Sequence, residues 1–151
     1  MDLRRRIAAY GLCRDDDGRV LLVRATGGPA SAGQWLLPGG GVRHGEHPQD
    51  AVVREIEEET GLRVKVDAPF LSVEHAYSHF SITLHLFHCS SKAGVPRPLA
   101  CEEPRFVRLT ELATYPFPRA NAKALEVLLA GGGGARQGKG RRAKPPANPP
   151  G

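Results

Sequence analysis

Apolar and polar positions alternate most clearly around Phe80, Ile82, Leu84 and Leu86, with Ser81, Thr83 and His85 interleaved. A period of two marks a strand with one buried face. Two further apolar runs, residues 5–14 and 19–24, flank Asp15-Asp16-Asp17-Gly18, whose Asp-Gly pair predicts a hairpin turn between two strands. Residues 63–66 and 70–76 read as strands interrupted by Asp67-Ala68-Pro69, and residues 106–109 as a last short one. Over about residues 48–60 the pattern becomes helical. Pro48 suits the first helical position, where its missing N–H costs nothing, and Gly61 suits the C-terminal stop. A second helix over about residues 119–130 sets Leu125, Leu128 and Leu129 on one side. Residues 25–34 and 90–100 carry the Gly, Pro and Ser of loops, and Trp35-Leu36-Leu37 is a short apolar piece stopped by Pro38. The succession predicts an α+β sandwich, a mixed central sheet with a helix on each side.

With 151 residues, the chain is long enough for one domain with a real core. Its net charge of +5 invites a nucleic-acid reading, but the charge is localised. Five of the 21 basic residues (Arg136, Lys139, Arg141, Arg142, Lys144) follow Gly131 with no acid among them, so residues 1–130 are neutral. The segment 131–151 has no aliphatic larger than Ala and is expected to be a disordered basic tail, capable at most of weak, salt-sensitive nucleic-acid contact. Cys13, Cys89 and Cys101 form no CxxC pair and leave an odd count, as in a reducing cytosol. No apolar run approaches the ~18–20 residues of a membrane span, and the start reads as a strand and not as a signal peptide. A cytoplasmic domain over 1–130 is expected.

The chemistry concentrates in Gly40–Leu62. Glu55, Glu58 and Glu59 stand at i, i+3 and i+4, so one helical face presents all three. Like charges at that spacing oppose the helix by a few tenths of a kcal/mol per pair, roughly, which a bound cation would offset. Three glycines, 39–41, precede the helix and permit backbone that side chains would oppose.

Gly40, five residues, Glu46, seven residues, then Arg54-Glu55-Ile56-x-Glu58-Glu59-x-Gly61-Leu62 resembles the Nudix box, with every defining position present. The resemblance implies a Nudix-type α/β/α sandwich that hydrolyses a diphosphate linkage between a nucleoside and another group, using Mg²⁺ or Mn²⁺. It makes Glu55, Glu58, Glu59 and the Gly40 carbonyl the metal ligands. Glu58, Glu55 and Arg54 become the catalytic set, Arg54 by orienting Glu58. Which glutamate is the general base stays open. Glu46 would tie the loop to the helix or coordinate through water. A further acid before the last strand falls on Glu102 or Glu103, with Glu103 the metal candidate and a solvated loop charge the plain alternative.

The second half, HAYSHFSITLHLFHC and ELATYPFPRANAKAL, is similar to MutT-type 8-oxo-dGTP diphosphatases and to the C-terminal domain of A/G-specific adenine glycosylases. By that similarity Asn121 reads the base: an amide donates and accepts, matching O6 and N7–H of 8-oxoguanine. Its alternative is to satisfy N–H groups at a helix start. Arg24, Leu37, Tyr77 and His79 complete the substrate-contacting candidates. Leu36 departs from the acidic residue that some MutT-type enzymes carry there. The histidines match no structural zinc spacing. The implied function is metal-dependent conversion of a small nucleotide, such as 8-oxo-dGTP, to the monophosphate and pyrophosphate, with a role in DNA repair. The alternatives are another nucleotide derivative (ADP-sugar, dinucleoside polyphosphate, capped RNA) or a non-catalytic 8-oxoguanine-recognition module.

Overall fold

A computed structural model describes residues 4–26 and 33–130. The expected basic tail, 131–151, and the middle of the loop at 25–34 lie outside the described residues. The strands form two sheets. In the four-stranded sheet β1 (Arg4–Cys13) lies between β4 (Gly39–Gly41) and β6 (Phe80–Ala93), and β5 (Arg63–Ala76) forms the far edge. β1 and β6 run parallel and the other pairs antiparallel, so the sheet is mixed. In the three-stranded sheet β2 (Val20–Arg24) lies between β3 (Trp35–Leu36) and β7 (Glu103–Val107), all antiparallel. Helices α1 (Pro48–Thr60) and α2 (Arg119–Ala130) complete the architecture, with a 3₁₀ turn over Leu109–Thr114 before α2.

Burial on both faces of the central strands makes this a sandwich. Ala8, Leu12, Val20, Leu22, Leu84 and Leu86 join Ala124, Leu125 and Leu128 of α2 in one core. The alternate residues Ala9, Cys13, Leu21, Phe87 and Cys89 join Ala51, Val52 and Ile56 of α1 in the other. The expected α+β sandwich with a helix on each side is what the chain forms.

The hairpin expected at Asp15–Gly18 is corrected. The turn exists, with the Gly18 N–H donating to Asp15 O at 3.0 Å and the Asp15 N–H to Arg19 O at 3.0 Å, but only Arg14 and Val20 pair across it. Beyond that bridge β1 and β2 part into different sheets. Each has two hydrogen-bonding edges, and both are occupied: β1 by β4 and β6, β2 by β3 and β7. The expected break at Asp67-Ala68-Pro69 is a pair of register shifts within one continuous β5, the bulges a sheet uses to absorb a residue that cannot pair. β6 runs on to Ala93, into the expected loop, because Arg63 and Val64 extend its partner. β7 starts at Glu103 and not at residue 106. Pro104 within it is tolerated because β7 is an edge strand.

Candidate active site

Local signals set α1. Pro48 opens it, and Gly61, at φ 76°, closes it by donating its N–H to Glu57 O at 2.8 Å. Ala51, Val52, Ile56 and Thr60 are the buried stripe. Arg54, Glu55, Glu58 and Glu59 flank that stripe, and Arg54, Glu55 and Glu59 meet the glycine strand β4.

Arg54 is the hub. Its Nε and one terminal nitrogen donate to the two oxygens of Glu46 at 2.8 and 3.0 Å, a two-pronged pair whose geometry suits a guanidinium. The second prong also donates to Gly41 O at 3.1 Å, and the other terminal nitrogen reaches Glu55 and Glu58, each at 3.2 Å. Arg43 lies 3.8 Å from Glu58 and gives its backbone N–H to Glu46 at 2.9 Å. The side chain of Arg54 and the N–H of Arg43 pull the Glu46 carboxyl down to about 2. A depressed carboxyl adds stability above its unfolded value, near 4.5, and loses it as pH falls through the folded value. Urea unfolding should therefore show a gap between the wild type and Glu46→Gln that is full at pH 7 and closes toward pH 2.

Glu59 is the opposite case. Its Oε1 accepts the Gly39 N–H at 2.9 Å, yet burial first, and then the charges of Glu55 and Glu58, push its carboxyl up to about 8. Gly40 stands so close to Glu55 that a Cβ there would fall 2.6 Å from its carboxylate. The glycines thus let the strand backbone lie directly against the acids. Among the described residues no three acidic, His or Cys side chains converge into a ready-made ion cage, because Arg54 and the Gly39 N–H already hold these oxygens. The donor chemistry nevertheless fits a hard divalent cation: carboxylate oxygens, one of them buried among like charges that such an ion would offset.

The comparisons agree. The NUDIX domain profile matches residues 4–128. The chain belongs to the NUDIX family. The chain is 28% identical to the 8-oxo-dGTP diphosphatase of Escherichia coli (strain K12) over 120 residues, 80% of this chain and 93% of that one. It is 36% identical to a MutT-like protein of Streptomyces ambofaciens over 91 residues, 60% of this chain. The match spans 55% of that relative, about half its length. The MutT protein structure from Methanosarcina mazei Go1 superposes with a TM-score of 0.74 at 26% identity, covering 86% of this chain and 96% of that one. NUDIX hydrolases are divalent-metal enzymes as a class, and the donor set of this member is consistent with that.

The NUDIX domain's remaining candidates fall into two groups. Asn121, 3% exposed, points its Oδ1 at the Leu37 N–H, 3.1 Å away. It therefore pins α2 to the segment before the glycine strand and does not cap its own helix. Tyr10 was missed from sequence. It pairs with Gly39, and its hydroxyl is pushed up to about 12, by burial foremost and then by Glu59, Glu55 and Tyr77, with a hydrogen bond from Asn121 opposing. Tyr10 is thus paired with the glycine whose N–H holds Glu59. Tyr77 lies edge-on to His75 at 4.6 Å and tilted on Phe80 at 4.9 Å, beside the exposed His79.

Arg24 and Glu103 form the second group, paired where β2 ends and β7 begins. Arg24 lies 3.3 Å from Glu102 and 3.7 Å from Glu103. Arg105 also grips Glu103, at 2.6 and 2.9 Å, hydrogen-bonds the Tyr115 hydroxyl at 3.1 Å and lies over Trp35 at 4.8 Å. The structure ties Glu103 to these two arginines and shows no contact from it to the box acids. Trp35 is buried edge-on to Tyr115, a core role.

Proposed function

We propose that residues 1–130 form a Mg²⁺- or Mn²⁺-dependent nucleotide diphosphatase that converts a nucleoside triphosphate, with 8-oxo-dGTP foremost, to the monophosphate and pyrophosphate. The observation that carries this reading is the meeting of the Arg54–Glu46–Glu55–Glu58 network and buried Glu59 with a bare glycine strand. In it Glu55, Glu58, Glu59 and the Gly40 carbonyl hold the ion, and Glu103 is a candidate for a further contact. Such an ion neutralises the polyphosphate and lowers the pKa of bound water. Arg54 holds Glu55 and Glu58 in place, while the bare Gly40 lets the Glu55 carboxylate lie directly against the strand backbone. Arg24, Leu37, Tyr77, His79 and Asn121 are the proposed substrate contacts.

Likeness to the Escherichia coli 8-oxo-dGTP diphosphatase supports the substrate choice. The Asn121 amide is fixed by the Leu37 N–H on one side and the Tyr10 hydroxyl on the other, which leaves one Nδ2 hydrogen and a second lone pair on Oδ1 for a base. A cytoplasmic nucleotide pool is the proposed setting and DNA repair the proposed benefit. Among the described residues no helix is long and apolar enough to cross a membrane. For the tail, 131–151, weak nucleic-acid contact is proposed.

Product analysis over 8-oxo-dGTP, the normal dNTPs and ADP-ribose, with Mg²⁺ and with Mn²⁺, tests the proposal. No hydrolysis of any of them would sink it, and hydrolysis of ADP-ribose alone would move the substrate. Asn121→Ala should lower the preference for 8-oxo-dGTP over dGTP by tenfold or more, roughly, since an unpaired polar contact in a pocket costs about 1–3 kcal/mol. It should also lower the melting temperature, because the buried Leu37 N–H loses its acceptor.

A further inference from the structure

The end of α1 leaves carbonyls that the helix itself cannot satisfy. Gly61 takes the one on Glu57. The segment between β6 and β7 supplies donors for those on Glu59 and Thr60. The Arg97 N–H donates to Thr60 O at 2.7 Å, and the Leu99 and Ala100 N–H groups both donate to Glu59 O, at 3.1 and 3.0 Å. Cys101 Sγ lies 3.6 Å from the same oxygen. One residue further, the Glu102 N–H donates to Arg24 O at 3.0 Å. Docking is chiefly by backbone, with the Arg97 and Leu99 side chains lying over Gly61 and Leu99 still 53% exposed.

The sequence of this strap, Val95-Pro96-Arg97-Pro98-Leu99-Ala100, alternates prolines with donors. Proline offers no N–H and fixes φ, so the strap loses less conformational freedom when it docks. Its target is also telling. The residue receiving two N–H groups, with a thiol nearby, is Glu59, whose carboxyl lies against Gly39 on the other side. Glu59 is thus held at both ends, its carbonyl by the strap and its carboxylate by the glycine strand.

We propose that residues 96–101 form a positioning strap that sets Glu59 for the divalent ion. It presupposes that Glu59 is an ion ligand, as proposed above. The alternative is a strap that only seals a helix end. Linkage separates the two: if docking favours ion binding, ion binding favours docking by the same factor.

The double variant Pro96→Gly/Pro98→Gly loosens the strap and keeps every donor. Calorimetric titration with Mn²⁺, without nucleotide, should show affinity about fivefold weaker or more. Turnover lost at low Mg²⁺ should return at high Mg²⁺. In the wild type, Mn²⁺ or Mg²⁺ should slow amide hydrogen exchange at Arg97, Leu99 and Ala100. Unchanged ion affinity in a folded variant whose strap amides exchange faster would overturn the proposal. So would wild-type exchange at those amides that ignores the ion, a measurement that needs no variant to fold. A wild type whose ion affinity is indifferent to Glu59→Gln would instead remove the metal reading of Glu59, and the strap's role with it.

Discussion

Glu59→Gln should give a protein that folds at least as well as the wild type and turns nucleotide over at least about a hundredfold more slowly, a barrier increase of ~3 kcal/mol. The two effects share one cause. Burial and two neighbouring carboxylates push the Glu59 carboxyl up to about 8. An acid with a raised folded pKa stays protonated in the native state while the unfolded chain ionises, so it favours folding less as pH rises from about 4.5 to 8. At pH 7 the wild type should forgo up to about 3 kcal/mol through this residue. Glutamine keeps the shape and still accepts the Gly39 N–H, but it carries no charge to desolvate or to bind an ion. Urea unfolding at pH 5 and pH 8 should show wild-type stability falling toward the higher pH and the variant largely exempt from that part of the slope. Calorimetric titration with Mn²⁺ should show ion affinity falling in the same variant. Turnover that survives the substitution would remove Glu59 from the chemistry, whatever the stability did.

The second large effect concerns the strand opposite. Gly39→Ala should destabilise the domain by about 3 kcal/mol or more, measured by urea unfolding. Gly39 adopts φ 149°, and a Cβ there would lie 2.2 Å from Ala9 O and 2.6 Å from the Tyr10 Cα. Both obstacles are backbone of β1, the strand that pairs with it, so nothing can move aside without opening the sheet. Gly41→Ala is the control: no atom lies within 4 Å of its Cβ position, and its expected change stays within about 0.5 kcal/mol. A similar loss for both would show that the penalty is generic to the glycine run and not caused by that contact.

These sites differ in how much of them could be read from the chain alone. Glu46, Arg54, Glu55, Glu58 and Glu59 were legible because four of the five share a short helix, and helical spacing follows from sequence order. Pro48 and Gly61 marked its limits through backbone chemistry that acts within a few residues. The helix on each side of the sheet also followed, from the succession of elements. Pairing did not. The Asp-Gly turn after β1 predicted a hairpin, since a turn signal says nothing about which edges other strands will claim. The glycines were legible only as permissive backbone, and that they form an edge strand was not, because their partner, Ala8–Tyr10, lies about thirty residues earlier. Tyr10 therefore could not be associated with Glu59 or Asn121 without the register. Asn121 was singled out as a base reader or a helix cap, and its contact with the Leu37 N–H, 84 residues away, was invisible for the same reason.

The bond between the Gly39 N–H and Glu59 has a further consequence. The acid belongs to a helix, yet its carboxylate is gauged from a sheet, in the row where Gly39 faces Tyr10. The outward surface of α1, around Asp50 and Glu57, is under no such constraint and can drift in sequence without disturbing the acids. A one-residue slip of β4 along β1 has no comparable freedom, because it would turn the Gly39 N–H to the other side of the strand and leave the buried carboxylate without its donor. In this domain the yardstick for the innermost acid is the register of two strands, one of which has no side chains at all.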